Sequence, residues 1–585
     1  MIDGTLRATI PGANLYLLNP AGVLFGANAS LDLSGSFHVG TADYLKFTAG
    51  EKFFVDPANT NTVLSVAPVA AFGFLSPNPA AIVIDRRNPV NPITQPALQV
   101  SLGKTFSVVG GDITIIGPTP ILVINNEPVV FETLLAPRGR INLAGVASMG
   151  EVVLTKPDGS PDLDVTSFAR LGSIDLQRHA RIETSEVGGN GTVVIRGGRL
   201  QVANQSFIFS DVPVNTGGGS IGSVSGAPIG IDIEVTQDLV VSNGGRVTSE
   251  IEFGVSGSAG DVLIHAGSVE VTGTRSLIGS RLFPGSTGTA RNVDITTGSL
   301  TISNAGRIST ASGGSEAGGG IRVGADTINI LNGGAIESNT VGAGQGGKIA
   351  LQARAIYLRD GAAVSAKSTG TGNAGNISIT ASDDFVARNS FVTTEDTQAD
   401  GGDIRFEVGR LFHLINSEIT TKVGGGTGSG GNIFIDPQLV FLDGSRIIAS
   451  AIGGSGGNIT IVAGLFLASP DSVINASSSL GISGSISIQA PTTNLSGTLA
   501  PLPEDFLQAA GLLRARCAAQ LSGKASSFVL AGRDGLPPEP GALQPSPLSY
   551  RIAGTAALNL SQTTSLRRRQ PSAVALKALT MRCSG

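Results

Sequence analysis

The densest set of side chains able to do acid–base chemistry here is Asp383, Asp384, Glu395, Asp396, Asp400 and Asp403. Paired carboxylates cleave glycosides when one is held protonated and the other ionised. A polysaccharide-cleaving groove would also need Arg, Lys or His at matching offsets on neighbouring stretches. No basic partner recurs that way, so the set reads as turn and loop acids on a surface, and the chain as no enzyme. The four histidines, His38, His179, His265 and His413, are scattered without metal-ligand spacing and read as outward strand residues. Glycine-rich stretches such as Gly453-Gly454-Ser455-Gly456-Gly457 are followed by no phosphate-loop Lys-Ser/Thr, and no calcium-roll run or catalytic signature stands out. No metal and no cofactor is expected.

What positions these residues is a repeat. Gly-x-Ile-x-apolar returns with its isoleucine at 321, 349, 377, 404, 433, 459 and 486, in steps of 26 to 29 residues. A fixed period of that size marks a repeat architecture. Each period holds three short alternations, in the first unit Ile321-Arg322-Val323, Ile328-Asn329-Ile330 and Ala335-Ile336-Glu337. Alternation of two with β-branched residues means half-buried strands, and joints such as Asn332-Gly333-Gly334 supply corners. Three strands and three corners in about 28 residues make one coil of a parallel β-helix, here expected to be right-handed. One coil buries about six apolar side chains, roughly 10–15 kcal/mol. Ordering its backbone costs more than about 25 kcal/mol. Only stacking closes the gap.

The ladder is read backwards from 321 through Val293, Val262, Ile233, Val194 and Ile174. Gly111-Asp112-Ile113-Thr114-Ile115 and Gly139-Arg140-Ile141-Asn142-Leu143 carry the same signature within irregular coils and loops at 76–165. The segment 125–133 reads as an extra hairpin or loop, and 215–220 as an outward loop. The β-helix repeats run over 166–495. Pro503 ahead of Glu504-Asp505 and a helically spaced apolar set start a short helical cap at 496–540, followed by a flexible tail at 541–585.

The 585 residues include 81 Gly, 41% hydrophobic residues and 14% charged residues, with a net charge of −5. No basic stripe appears outside Arg567-Arg568-Arg569 in the tail, which excludes a nucleic-acid partner. No apolar run approaches the roughly 20 residues of a membrane-spanning helix. Two cysteines, Cys517 and Cys583, are too few for a disulfide scaffold and are compatible with a bridge or with two thiols.

Residues 1–75 are the most specific stretch. Asn19-Pro20-Ala21-Gly22 reads as a turn between strands, with Pro20 fixing φ and Gly22 free to take the left-handed region. Phe25-Gly26, Leu31-Asp32, Gly35-Ser36-Phe37 and Thr41-Ala42 follow in order. Together these residues resemble the haemagglutination-activity (two-partner-secretion) domain of filamentous haemagglutinin-type exoproteins. Asn19, Pro20, Gly22, Phe25 and Gly26 carry the motif, and Ala21 stands where the family usually has a second Asn. The resemblance implies export through a dedicated outer-membrane β-barrel transporter and a secreted or surface-displayed, adhesin-like product. Its implied partners are host, matrix or cell-surface glycans or proteins. The alternative is a polysaccharide-binding or polysaccharide-cleaving β-helix. The family's domain starts earlier, behind a signal peptide, and Met1-Ile2-Asp3-Gly4-Thr5 has neither a basic nor an apolar signal region. The expectation is a misassigned start or a fragment.

Overall fold

The computed structural model describes residues 1–491, apart from 60–65, 88–96, 120–122, 125–126, 129–131, 157–160, 214–227, 258 and 288–289. They belong to one compact unit, Met1–Thr493. The expected cap and tail, the two cysteines and the loop at 215–220 lie outside the described residues.

The described chain is an all-β parallel solenoid of about 16 turns, with no helix among the described residues. The seven repeat isoleucines stand in one column, Ile321 pairing with Ile349, then Ile377, Ile404, Ile433, Ile459 and Ile486. The column continues upstream through Val293, Val262, Ile231, Val193, Ile141 and Phe106 to Phe37 and Leu15. Three of the upstream anchors read from the sequence are therefore corrected: Ile233 stands two residues beyond the column's Ile231 and pairs with Ile264. Val194 points outward, beside the inward Val193, and Ile174 belongs to a second column with Ile113, Leu200 and Leu239. The insertion between Val146 and Leu171 splits the two arms of that coil, so the spacing of the later coils does not extrapolate through it.

In the six central coils from Ile229–Ser242 to Ile377–Arg388 the first two alternations run together as one strand, such as Ile321–Leu331 or Ile349–Arg359. Nothing between Val323 and Ile328 forces a turn, and parallel pairing continues across the bend from Gly324–Gln352 to Thr327–Ala355. The third alternation forms a separate sheet of 13 short strands. The third side of each coil is closed by single bridges, among them Ser312–Thr340, Thr340–Ser368 and Ser368–Asp396. Inward residues of the two sheets merge into one continuous core of Ile, Val, Leu and Phe, while Val212, Ile251 and Leu282 of the bridged side form a small cluster of their own.

Corner chemistry repeats as regularly as the core. The turn before the short strand puts Asn243, Asn304, Asn332, Asp360, Asn389 and Asn416 at φ between 46° and 54°. Asn and Asp tolerate the left-handed region better than other side chains with a Cβ. Inside the next corner, buried Thr310 and Thr421 donate their hydroxyls to the carbonyls of Gly319 and Gly431, at 2.7 and 2.6 Å. At the last corner Asn376, Asp403, Asn432 and Asn458 each accept the backbone N–H of the equivalent residue one coil on, at 2.7–3.0 Å. The polar residue of the Gly-Asn/Asp-Ile signature is thus a coil-to-coil tie.

A second, antiparallel sheet lies against the early coils. Its order is Pro161–Asp164, Gly150–Thr155, Val69–Phe74, Tyr44–Phe47 and Lys52–Phe54. Phe72, Phe74, Val152, Leu154 and Leu163 pack there onto outward-facing Val109, Ala144 and Val194, making a core outside the solenoid. A short antiparallel hairpin, Val123–Ile124 with Glu127–Pro128, overlaps the start of the expected 125–133 segment, of which 125–126 and 129–131 lie outside the described residues.

Candidate functional site

The motif turn is built by its own first residue. The Asn19 carbonyl accepts the Gly22 N–H at 3.0 Å, and the Asn19 side chain both donates to the Gly22 carbonyl and accepts the Ala21 N–H. Only the backbone of residue 21 takes part, and its side chain is exposed, so Ala serves there. Gly22 has φ +106°, and an added Cβ would lie 3.2 Å from the Ala81 carbonyl oxygen. Behind the turn, fully buried Phe25, Phe37 and Phe106 stack edge-on, with centroids 6.3 and 5.3 Å apart. Gly26 leaves room for Asp3, whose carboxylate ties down the backbone and side chain of Asn28. A Cβ on Gly35 would sit 2.0 Å from the Ala13 carbonyl oxygen, so that coil contact requires glycine.

The second half of the motif is the seat of the antiparallel sheet. His38 points outward, yet is only 7% exposed, because Phe72 and its neighbours cover that side. Its ring stacks on Tyr16 at 4.5 Å, and its Nδ1 meets the Ser107 hydroxyl at 2.9 Å. Burial pulls its pKa down to about 4 and pushes that of Tyr16 up to about 12, so both are neutral at physiological pH. Thr41 donates to the Ala80 carbonyl, Ala42 enters the outer core, and the Asp43 carboxylate holds the Leu75 N–H at 2.6 Å. On the sheet's far side Glu151 accepts Tyr44 Oη and Lys46 Nζ, both at 2.7 Å, with Lys52 4.0 Å away. Burial opposes the charge of Glu151, but these bonds prevail and hold its pKa below the usual range. The cluster joins the 44–54 hairpin to the strand at 150–155.

Elsewhere the acids of the densest set go separate ways. Asp383 and Asp384 pair with Arg354 and Arg410, and Glu395 with Lys367. Asp396 is buried on the bridge ladder, where it accepts the N–H groups of Gln398 and Ala399. Asp400 and Asp403 accept N–H groups of the following coil. Their dense spacing in sequence reflects corner duties. His265 and His413 lie on strands, but His179 occupies a left-handed turn at φ 65°, not a strand. The His179 turn follows Arg178, also left-handed, so no strand geometry is available to it. Among the described residues no three His, Cys, Asp or Glu side chains gather as a metal would require.

Sequence reasoning missed a groove of about 580 Å³ on the short-strand side, lined by Phe207, Leu277, Arg246, Arg275, Arg281 and Arg307. The available signal was Gly245-Arg246-Val247-Thr248 and Gly306-Arg307-Ile308-Ser309, which place arginine at the same outward position two coils apart.

Comparison with protein families matches residues 1–195 to the TPS secretion domain. The match spans the motif turn, the phenylalanine stack and every strand of the antiparallel sheet. Neither the curated proteins nor the solved structures include a match to this chain.

Proposed function

We propose, from the premise that residues 1–195 are a TPS secretion domain fronting a β-solenoid and so fit a two-partner-secretion exoprotein of the filamentous haemagglutinin type, that the chain is exported to the cell surface and works there as an adhesin. In this reading residues 1–195 are the part that an outer-membrane β-barrel transporter handles. The turn at Asn19, Pro20 and Gly22, with Phe25 and Gly26 behind it, sets the first coils on which later coils template. The coils from Ile229 onward are the displayed shaft, and their outward residues make weak contacts repeated along one axis.

The observation that carries this reading is the coincidence of the family match with the region where an antiparallel sheet clothes the solenoid with a second core. A polysaccharide-cleaving site gains nothing comparable, since the acids it would use are engaged in corner ties and ion pairs. The test is export. The chain, placed behind a signal peptide, is co-expressed with an outer-membrane β-barrel transporter of the two-partner-secretion class, and surface protein is measured by protease accessibility. Transporter-dependent surface exposure, lost in Gly35→Val, is the expected result. Equal amounts outside the cell with and without the transporter would sink the proposal.

A further inference from the structure

We propose that the short-strand face between Phe207 and Glu337 binds a linear carboxylated polysaccharide, a polyuronate, laid along the coil axis. The proposal rests on the adhesin reading for its setting, and on the groove for its chemistry. Phe207, Arg246, Leu277 and Arg307 stand in one outward column. Strands one coil apart are about 4.8 Å apart, so Arg246 and Arg307 rise roughly 10 Å from each other along the axis. Arg281 stands in the neighbouring column, one coil beyond Glu250, and Arg275 on the turn above it. Four guanidiniums thus line the groove against two carboxylates, Glu337 on its wall and Glu250 beneath it, in a chain whose net charge is −5.

The groove already shows which anion its arginines hold. Glu250, 5% exposed beneath them, accepts Arg246 at 3.0 Å and Arg281 Nε at 2.7 Å, and Glu337 accepts Arg307. Because Arg281 bonds through Nε, its two terminal nitrogens have no bonding partner among the described residues. A guanidinium fork suits a planar carboxylate better than a point cation does. Burial, then the charge of Glu250, pushes the Asp211 carboxyl well above its usual range.

Flat apolar surfaces at its margins favour sugar rings over a peptide. Half-buried Phe207 lines the groove and stacks at 5.1 Å and 8° on Phe209, which is buried beside Arg181 and Arg246. At the other margin Arg281 lies over Phe283, which pairs at 4.7 Å with Phe253, 58% exposed. The floor is a stepped sheet with side chains at one repeating level, matched to a polymer with a short, regular repeat.

The purified full chain is titrated with a short oligogalacturonate, a neutral oligosaccharide of equal length and an oligoglutamate of equal charge. Only the first is expected to bind, and added salt weakens it. Arg275→Ala with Arg307→Ala is expected to raise the Kd at least about tenfold, since two charge-assisted contacts go. Arg405→Ala, on the long-strand side, should leave it unchanged. Should the double variant fail to fold, Arg281→Lys, which keeps the charge and loses the fork, is expected to weaken binding severalfold. No binding by the wild type, equal binding of oligoglutamate, or variants that bind like the wild type would overturn the proposal. Surface adhesion that survives the double substitution removes the groove and leaves the adhesin reading. Oligogalacturonate binding by a protein that mediates no adhesion does the reverse.

Discussion

Phe37 and Ile377 occupy the same inward column of the solenoid, and both are essentially fully buried. One residue further on, they part. His38 turns outward into a second core beneath the antiparallel sheet, whereas Ser378 turns outward to the surface of a bare coil. The early coils are therefore buried on both sides of a strand, and the later ones on one. Two-sided burial links strands from Tyr44 to Asp164 to coils on either side of them. One-sided burial links a coil only to its neighbours, which is the condition for nearly additive, nearest-neighbour stability.

The sharpest way to break this comparison is to make the same kind of cavity in each region. Phe37→Ala removes the middle ring of the stack with Phe25 and Phe106 and should cost about 3–5 kcal/mol. Ile377→Ala should cost about 2–5 kcal/mol at its own site. The distinction lies in extent. Hydrogen exchange on the full chain should show protection lost across residues 1–195 for Phe37→Ala. For Ile377→Ala, loss should be confined to that coil and the coils at Ile349 and Ile404. Loss confined to the coils touching Phe37 would mean the second core adds no cooperativity.

The later coils were legible in the sequence because every physical requirement repeats there at one period. The isoleucine column, the left-handed Asn before the short strand and the corner glycines each return at the same offset. Gly22, Phe25 and Gly26 were legible for the opposite reason, as an unrepeated motif. The antiparallel sheet was not, because it pairs residues 44–47 with 69–74, and 69–74 in turn with 150–153, and leaves no period to detect. Ile174, Val194 and Ile233 were misread as column residues because spacing alone does not fix the register in these irregular coils. The arginine groove needed the register: Arg246 and Arg307 are distant in sequence and become neighbours only once Leu277 is known to stand between them. Conversely, Asp383 to Asp403 looked like a site because corners recur close together in sequence.

A smaller effect should come from pH, and it should fall on the early coils. His38 has its pKa lowered from 6.5 to about 4 by burial. The unfolded chain therefore binds the extra proton between those values, and stability rises with pH across that window. The contribution is complete above about pH 6.5 and lost as pH falls toward 4, and its full size is about 3 kcal/mol. Urea unfolding followed through the early coils should shift to lower midpoints over that range, and His38→Gln should flatten the shift. A wild-type profile that is level between pH 6.5 and 4 would show that the ring is reached by water and that the sheet does not seal it.

The smallest effect tests the corners of the bare coils. Asn389 holds φ at 48°, and its side chain reaches Asp360 on the preceding coil at 3.3 Å. Ala in that region costs about 1 kcal/mol relative to a residue that tolerates it, whereas Gly adopts it without steric cost. Asn389→Ala should therefore lower the midpoint of thermal unfolding by about 2 °C or less in so large a unit, with Asn389→Gly close to the wild type. The ordering of the two variants is the informative quantity. If Ala and Gly are equally destabilising, the tie to Asp360 matters and the column of asparagines is a hydrogen-bonded ladder. If only Ala is, the column is a set of independent backbone requirements, each coil meeting its own, as the nearest-neighbour picture of the shaft demands.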